Sequence, residues 1–218
     1  MLYRLVGLLG CALTFASCIV THRDFPAVDL QSEPLPRKDL TLYYRVEPVT
    51  YFKQAKYKAR TDFLYDFPSG PEDYDELRRV FAETGMFRRT IATSIPPAKG
   101  VYCSVSVEYR PRSELGEFFL SLSQASATLL PSYSESSGHV VRYDLYVDMA
   151  LRKSYWYETS RKEAIWFVLL PFVWVNAFTH GPDDAFRATA YQFLLDADRD
   201  GYLQDMRPFA RPDLSARE

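Results

Sequence analysis

Cysteine and histidine are scarce in this sequence of 218 residues, which has three of each. The cysteines are Cys11, Cys18 and Cys103, and the histidines are His22, His139 and His180. The motifs HExxH, GxSxG and CxxC and the phosphate-binding P-loop are all missing. These absences remove the usual signatures of zinc hydrolases, serine hydrolases, dithiol oxidoreductases and P-loop enzymes. We therefore predict that the protein is not an enzyme, with an unrecognised hydrolase as the less favoured alternative.

Apolar runs long enough to span a bilayer, roughly 18 to 20 residues, are also missing. The first apolar run, residues 5–17, is uncharged and follows Arg4, which is the only charged residue before His22 and Arg23. One positive charge followed by a short apolar core is typical of a secretory signal peptide. We therefore predict that residues 1–17 are a signal peptide that is removed.

The residues directly before Cys18 are Phe15, Ala16 and Ser17. An apolar approach through small residues into a cysteine resembles the lipobox of bacterial lipoproteins. In that family, the cysteine thiol receives a diacylglyceryl group and the cysteine becomes the new N-terminus. The resemblance implies covalent lipid on Cys18, with fatty acids such as palmitate, and anchoring at a membrane of the cell envelope. Phe15 departs from the pattern, in which leucine is usual at that position.

The choice of Cys18 has two alternatives. Residues 8–11 read Leu-Leu-Gly-Cys, but a cut before Cys11 would leave only about six residues after Arg4, fewer than the usual 7 to 15 of an apolar core. The second alternative is an apolar N-terminal helix, or a secreted protein in which Cys18 is incidental.

The residue after Cys18 and the net charge of the chain indicate the expected location and partners. In bacterial lipoproteins, an aspartate after the lipidated cysteine retains the protein in the inner membrane, so Ile19 implies the outer membrane. The formal net charge is −2, and removal of residues 1–17 takes away one arginine and no acid. A mildly acidic chain argues against nucleic-acid binding. We predict a membrane contact through the lipid and an envelope protein as partner.

Cys103 would be the one free thiol if Cys18 is acylated, so no internal disulfide is expected. It lies in the alternating stretch 101–109, where its position falls among the apolar residues that face a core. A reactive thiol would instead need an electropositive, partly exposed setting. We predict that Cys103 is a core residue.

The composition, 47% hydrophobic and 16% aromatic, is that of a chain with a real core. After Cys18, three prolines and the lack of any helix or strand period predict an extended tether. The predicted organisation is a lipidated N-terminus and tether at 18–40, one globular domain at 41–205 and a flexible tail at 206–218.

Hydrophobic periodicity alternates between strand-like and helix-like stretches in the globular part. The predicted strands are 40–47, a pair at 86–94 and 101–109, and a pair at 139–149 and 153–160; the predicted helices are 71–84 and 183–198. We therefore predict an α+β fold, with a small, mostly antiparallel sheet and two main helices packed on one face.

The motif Leu-Leu-Pro occurs at residues 129–131 and again at 169–171, on either side of the second strand pair. Together with the preceding helix and strand pair, this arrangement loosely resembles uncharacterised bacterial envelope lipoproteins with a small α+β domain. The resemblance implies a binding or accessory role, and no residue-level site is transferred from it.

Residues 196–203, which read DADRDGYL, are similar to the first two thirds of an EF-hand calcium loop. Asp196, Asp198 and Asp200 would supply oxygen ligands, and Gly201 would supply the turn. The twelfth position, where a glutamate should close the coordination sphere, is Arg207. We favour a capped helix end with solvated acids, and keep a calcium-binding surface protein as the alternative.

Residues 164–178 form an uncharged run with two tryptophans, interrupted by a proline. The favoured interpretation is a pair of buried strands, or a strand and a turn, in the core. The alternative is a contact with lipid or a partner through Trp166, Phe167, Phe172 and Trp174, because such side chains favour membrane interfaces and protein hot spots. The leading functional hypothesis is a non-enzymatic envelope lipoprotein that binds another envelope component.

Overall fold

The computed structural model describes residues 18–26, 35–47, 50–51, 75–110 and 112–204. The strands are β1 (Cys18–Arg23), β2 (Lys38–Val46), β3 (Thr50–Tyr51), β4 (Phe87–Ala92), β5 (Val101–Arg110), β6 (Ser132–Val147) and β7 (Ala150–Ile165). The α-helices are α1 (Asp75–Glu83), α2 (Glu114–Ala125) and α3 (Pro182–Arg199), and a 3-10 segment spans Phe167–Phe178. The predicted signal peptide and the predicted C-terminal tail lie outside the described residues.

The seven strands form one curled, mixed sheet in the order β1-β7-β6-β5-β2-β4, and β3 pairs with β5 beyond the end of β2. The pairs β1–β7, β7–β6 and β6–β5 are antiparallel. β5, β2 and β4 are parallel to one another. The sheet therefore joins an antiparallel half to a parallel half at β5.

The β6–β7 hairpin is the longest element of the sheet and confirms the second predicted strand pair. Its strands are 16 residues each, longer than predicted, and meet at a tight turn where Asp148 and Met149 both have positive φ. Val141, Tyr143 and Leu145 alternate into the core, as their spacing predicts. A bulge between Ser134 and Ser137 keeps both ends of β6 on this core face.

The core lies between this face of the sheet and the helices α1 and α3. The Tyr143 ring stacks on Phe193 of α3, with centroids 4.6 Å apart, and Phe81 of α1 meets both rings edge-on. The Tyr143 hydroxyl lies 2.9 Å from Thr189 Oγ1, so its polar end is satisfied. Each fully buried side chain of this size contributes about 1.5–3 kcal/mol. Cys103 is fully buried here, which confirms its predicted core position.

The predicted fold class is wrong in two respects. The sheet is larger than expected and mixed, with seven strands, and a third helix, α2, packs against it. The stretches at 86–94 and 101–109 were expected to pair with each other, but β2 lies between β4 and β5. Residues 93–100 therefore cross β2 instead of forming a hairpin. The alternation of apolar and polar residues identifies both stretches as strands, but it does not indicate which strand each one pairs with.

The start of the described chain is a strand, where the sequence predicted a tether. β1 pairs along its whole length with the end of β7, from Cys18 opposite Ile165 to Arg23 opposite Ser160. The other edge of β1 bonds to the 3-10 segment and the residues after it: Asn176 bonds to Val20 and Cys18, and the His22 amide donates to the His180 carbonyl. These long-range partners hold β1 in the sheet, although the sequence of β1 has no strand pattern of its own.

Gly138 of β6 lies opposite Ser160, in close contact with the backbone of β7. A Cβ at this position would overlap the backbone carbonyl of Thr159 on β7. We expect Gly138→Ala to lower the free energy of unfolding by about 1–3 kcal/mol, the usual cost of overpacking. The control is Gly181→Ala, where the nearest atom would be 4.0 Å away. Urea denaturation of both variants measures the difference, and equal losses would contradict a steric role for Gly138.

Candidate functional site

Helix α2 carries its apolar stripe on the outside of the protein. The Ser113 hydroxyl caps the helix by accepting the Gly116 amide at 3.2 Å. The residues that face the sheet are mostly small, namely Gly116, Leu120 and Ser123. Leu115, Phe118, Phe119 and Leu122 are spaced as one apolar helix face, yet all four are exposed. The spacing of these four residues was a readable signal that the sequence analysis missed.

A strained turn connects α2 to a second group of exposed apolar residues. Ala127 and Thr128 both have positive φ, which is unusual for a β-branched residue such as threonine. The Thr128 amide donates to Ser123, and the Thr128 carbonyl accepts the Phe167 amide at 3.0 Å. The Trp166 indole donates to the Leu129 carbonyl at 3.1 Å. These bonds place Leu129 and Leu130, both exposed, against the start of the 3-10 segment.

The 3-10 segment itself has no buried residue, so the favoured prediction of core strands for 164–178 is wrong beyond Ile165. The four side chains named as a potential contact are exposed, with Trp174 at 61% and Phe172 at 49%. Pro171 lies inside the segment and cannot donate a backbone hydrogen bond. The segment is thus an apolar surface element, although its hydrophobicity alone predicted that it would be buried.

We call the exposed apolar side chains of α2, of Leu129 and Leu130, and of residues 166–178 the apolar surface. None of these side chains is ionisable. Exposed apolar patches that continue over several elements mark sites that contact proteins or membranes. The apolar surface is therefore the candidate functional site.

Cys18 borders the apolar surface. Its carbonyl accepts the Asn176 side-chain amide at 2.7 Å, and the Asn176 side-chain oxygen accepts the Val20 amide at 3.0 Å. The Thr179 hydroxyl donates to the Val20 carbonyl at 2.8 Å. Asn176 therefore pairs with β1 as a neighbouring strand would, and it fixes the aromatic segment beside Cys18.

Burial raises the pKa of the Cys18 thiol to about 11, and the negative charge of Glu163 adds to this effect. The thiolate is therefore scarce at neutral pH. Burial also raises the pKa of Cys103 well above its ordinary value. In the folded protein, neither thiol has the properties of a catalytic nucleophile.

A buried cluster of charged side chains lies next to α2, on the core face of β6 and β7. Glu163 forms ion pairs with Arg112 and with Arg161, the latter at 2.8 Å. Arg112 also lies 3.6 Å from Glu117 of α2. The side chains of Arg112 and Glu163 are 2% and 4% exposed. The cluster links the segment before α2 to β7, and so positions both halves of the apolar surface.

Two of the three histidines lie beside this cluster. His22 and His139 stack with centroids 6.3 Å apart, and His139 also contacts Tyr109 and Phe186 edge-on. Burial lowers the pKa of His139 to about 4, and the charge of Arg161, with that of His22 whenever His22 is protonated, acts in the same direction. Burial also lowers the pKa of His22. Both rings are therefore neutral packing groups near pH 7.

The three aspartates of the calcium-like loop face different partners. Asp196 accepts from Tyr157 at 2.8 Å, Asp198 pairs with Lys38 at 2.6 Å, and Asp200 accepts from Lys153 and Tyr155. α3 ends at Arg199, with Asp200 as its cap, and Gly201 follows with φ of 82°. Within the described ranges, no three His, Cys, Asp or Glu side chains converge as metal ligands would. Calcium binding stays a prediction.

Among the residues whose structure is described, no helix is long and apolar enough to cross a membrane.

Comparison with known proteins shows little. No protein-family model matches the chain, and no curated protein matches it. Several solved structures match, and two of them are as follows. A neuraminyllactose-binding hemagglutinin homolog from Helicobacter pylori is 10% identical, with a TM-score of 0.38, over 80% of this chain and 94% of that one. The PelC dodecamer from Paraburkholderia phytofirmans is 10% identical, with a TM-score of 0.26, over 78% of this chain and 99% of that one. At these TM-scores, the likenesses carry no argument about function.

The buried charge cluster yields a stability prediction. Glu163→Gln would leave Arg112 and Arg161 facing a neutral amide, and we expect the free energy of unfolding to fall by about 3–5 kcal/mol. The matched control is Glu158→Gln, also on β7, whose ion pair with Arg110 is exposed. That change should cost less than about 1 kcal/mol. Chemical denaturation that gave both variants the same stability would show that the cluster is not structural.

His139 yields a pH prediction. Its pKa is lower in the folded protein, about 4, than its ordinary value of 6.5. The unfolded chain therefore binds the proton more readily. The stability that the neutral His139 ring contributes to the folded state is fully present above pH 6.5 and is lost as the pH falls toward 4. Between about pH 7 and pH 5, we expect a loss of about 2 kcal/mol that His139→Gln removes. His180→Gln, at an exposed position, is the control. Denaturation curves at the two pH values measure the effect, and an unchanged pH dependence in His139→Gln would contradict it.

Proposed function

We propose that the protein is a cell-envelope lipoprotein, anchored by lipid on Cys18, whose domain acts by binding and not by catalysis. The observation that carries this proposal is the position of Cys18. The residue that the lipobox pattern marks for acylation lies at the border of the apolar surface, hydrogen-bonded to Asn176. An anchor and an interaction surface at the same place on the domain are what a membrane-attached binding protein requires.

Cleavage before Cys18 would make β1 the first element of the mature chain. Because Cys18 is itself paired with Ile165 of β7, nothing would separate the lipid from the sheet. This differs from the anchor-and-tether arrangement predicted from the prolines. The acylated residue and the domain would instead form one continuous unit.

The half-buried position of the Cys18 thiol favours one order of events. Transfer of a diacylglyceryl group requires an accessible, nucleophilic sulfur, whereas partial burial in the folded domain raises the pKa of Cys18 to about 11. Acylation before the pairing of β1 with β7 fits this setting. Such an order suits a chain that is modified at the membrane before its domain folds.

Binding is favoured over catalysis by the chemistry of the apolar surface. Its side chains contribute contact area and provide no acid, base or nucleophile. The charged groups beneath α2, Arg112 and Glu163, are buried and paired with one another. Ile19 follows the acylated cysteine, and this favours the outer membrane as the location.

The test is metabolic labelling with a clickable fatty acid in a bacterium that expresses the full chain. Label is expected on the wild type, on Cys11→Ala and on Cys103→Ala, and none on Cys18→Ala, with mass spectrometry locating the lipid. Loss of label in Cys11→Ala alone would move the anchor to the other cysteine pattern. An unlabelled wild type would contradict the proposed function.

A further inference from the structure

We propose that the apolar surface lies in the lipid–water interface of the membrane that carries the anchor. The domain would then rest on the bilayer through α2 and residues 166–178. This inference rests on the proposed function, because it takes the anchoring membrane as the occupant of the surface.

The placement of Cys18 is the first argument. Cys18 pairs with Ile165, the residue before Trp166, and its carbonyl contacts Asn176 near the other end of the aromatic segment. A lipid on Cys18 would therefore emerge between the two ends of that segment. With no tether, the exposed aromatic side chains have no means of leaving the interface while the lipid is inserted.

The chain that precedes the described residues supports the same placement. Residues 5–17 are uncharged and largely apolar, and they run directly into Cys18. If residues 1–17 are removed, acyl chains occupy the membrane at this point. If they are kept, the apolar run itself is the part of the chain suited to enter lipid. In both cases, this corner of the domain is delivered to the bilayer.

The composition of the surface suits an interface. Trp166 and Trp174 are exposed, and tryptophan favours the boundary between lipid and water. α2 adds an apolar stripe in which Leu115 and Phe118 are 65% and 60% exposed, with Glu114 at its first turn. An amphipathic helix that lies in the plane of the membrane has this division of faces.

The tryptophans provide an internal control. Trp166 and Trp174 belong to the apolar surface, whereas Trp156 lies on β7, on the face opposite the core, under the Arg142 guanidinium at 4.6 Å. Trp156→Phe leaves only the two surface tryptophans. Trp166→Phe combined with Trp174→Phe leaves only Trp156, which is 52% exposed.

The experiment reconstitutes these variants of the full-length protein, purified from membranes, into vesicles of phosphatidylethanolamine and phosphatidylglycerol with brominated acyl chains. Bromine quenches tryptophan fluorescence on contact. We expect Trp166 and Trp174 to lose most of their emission and Trp156 to keep most of its emission. Phe118→Ser with Leu122→Ser should reduce the quenching of Trp166 and Trp174 with no change in circular dichroism.

Equal, weak quenching of both tryptophan sets would overturn the inference. So would blue-shifted but unquenched emission from Trp166 and Trp174, because protein would then cover the surface, whether a partner, a second copy or residues 1–17. If Cys18 is acylated but Trp174 is not quenched, the lipid anchor is supported and the membrane contact is contradicted. If Trp174 is quenched but the wild type carries no lipid label, the membrane contact is supported and the anchor is contradicted. The two proposals can therefore fail separately.

Discussion

The amide side chain of Asn176 holds together the two parts of the molecule on which its proposed role depends. It satisfies the Val20 amide and the Cys18 carbonyl at once, and so closes the exposed edge of β1. An open edge would invite pairing with other chains, and a side-chain amide ends the sheet without adding a strand. The same bonds fix the aromatic 3-10 segment at Cys18. The predicted anchor position and the apolar surface therefore lie side by side.

The polar interior beneath α2 explains why an apolar stripe remains outside. Where α1 and α3 cover the sheet, its face carries Tyr143, Leu145 and other apolar groups. Where α2 covers it, the buried residues include Arg112, Glu163 and several serines. Small and polar helix positions suit that second region, because buried charges need polar partners and Glu117 of α2 supplies one to Arg112. The helix thus turns its large side chains toward the surroundings.

Local patterns predicted much of the secondary structure. The β6–β7 hairpin, α3, the end of α1 and the burial of Cys103 follow from alternation and helical spacing. The partners of β4 and β5, and the strand character of β1, did not follow, since each depends on residues far away in the chain. At the candidate site, the four aromatic residues were named from composition, but their exposure was favoured only as an alternative. The contribution of α2 was missed.

By itself, the sequence determined which residues carry the relevant chemistry: an apolar run that ends before Cys18, an uncharged aromatic run, and no recognisable catalytic motif. Only the tertiary structure decided where these features meet. Hydrophobicity predicts that a side chain avoids water, but it does not predict whether the side chain lies in the core or at a surface that contacts another molecule. The aromatic run lies outside the core, which is built mainly from the sheet with α1 and α3. It lies beside Cys18 because β1 pairs with the end of β7, a contact between residues more than half the chain apart.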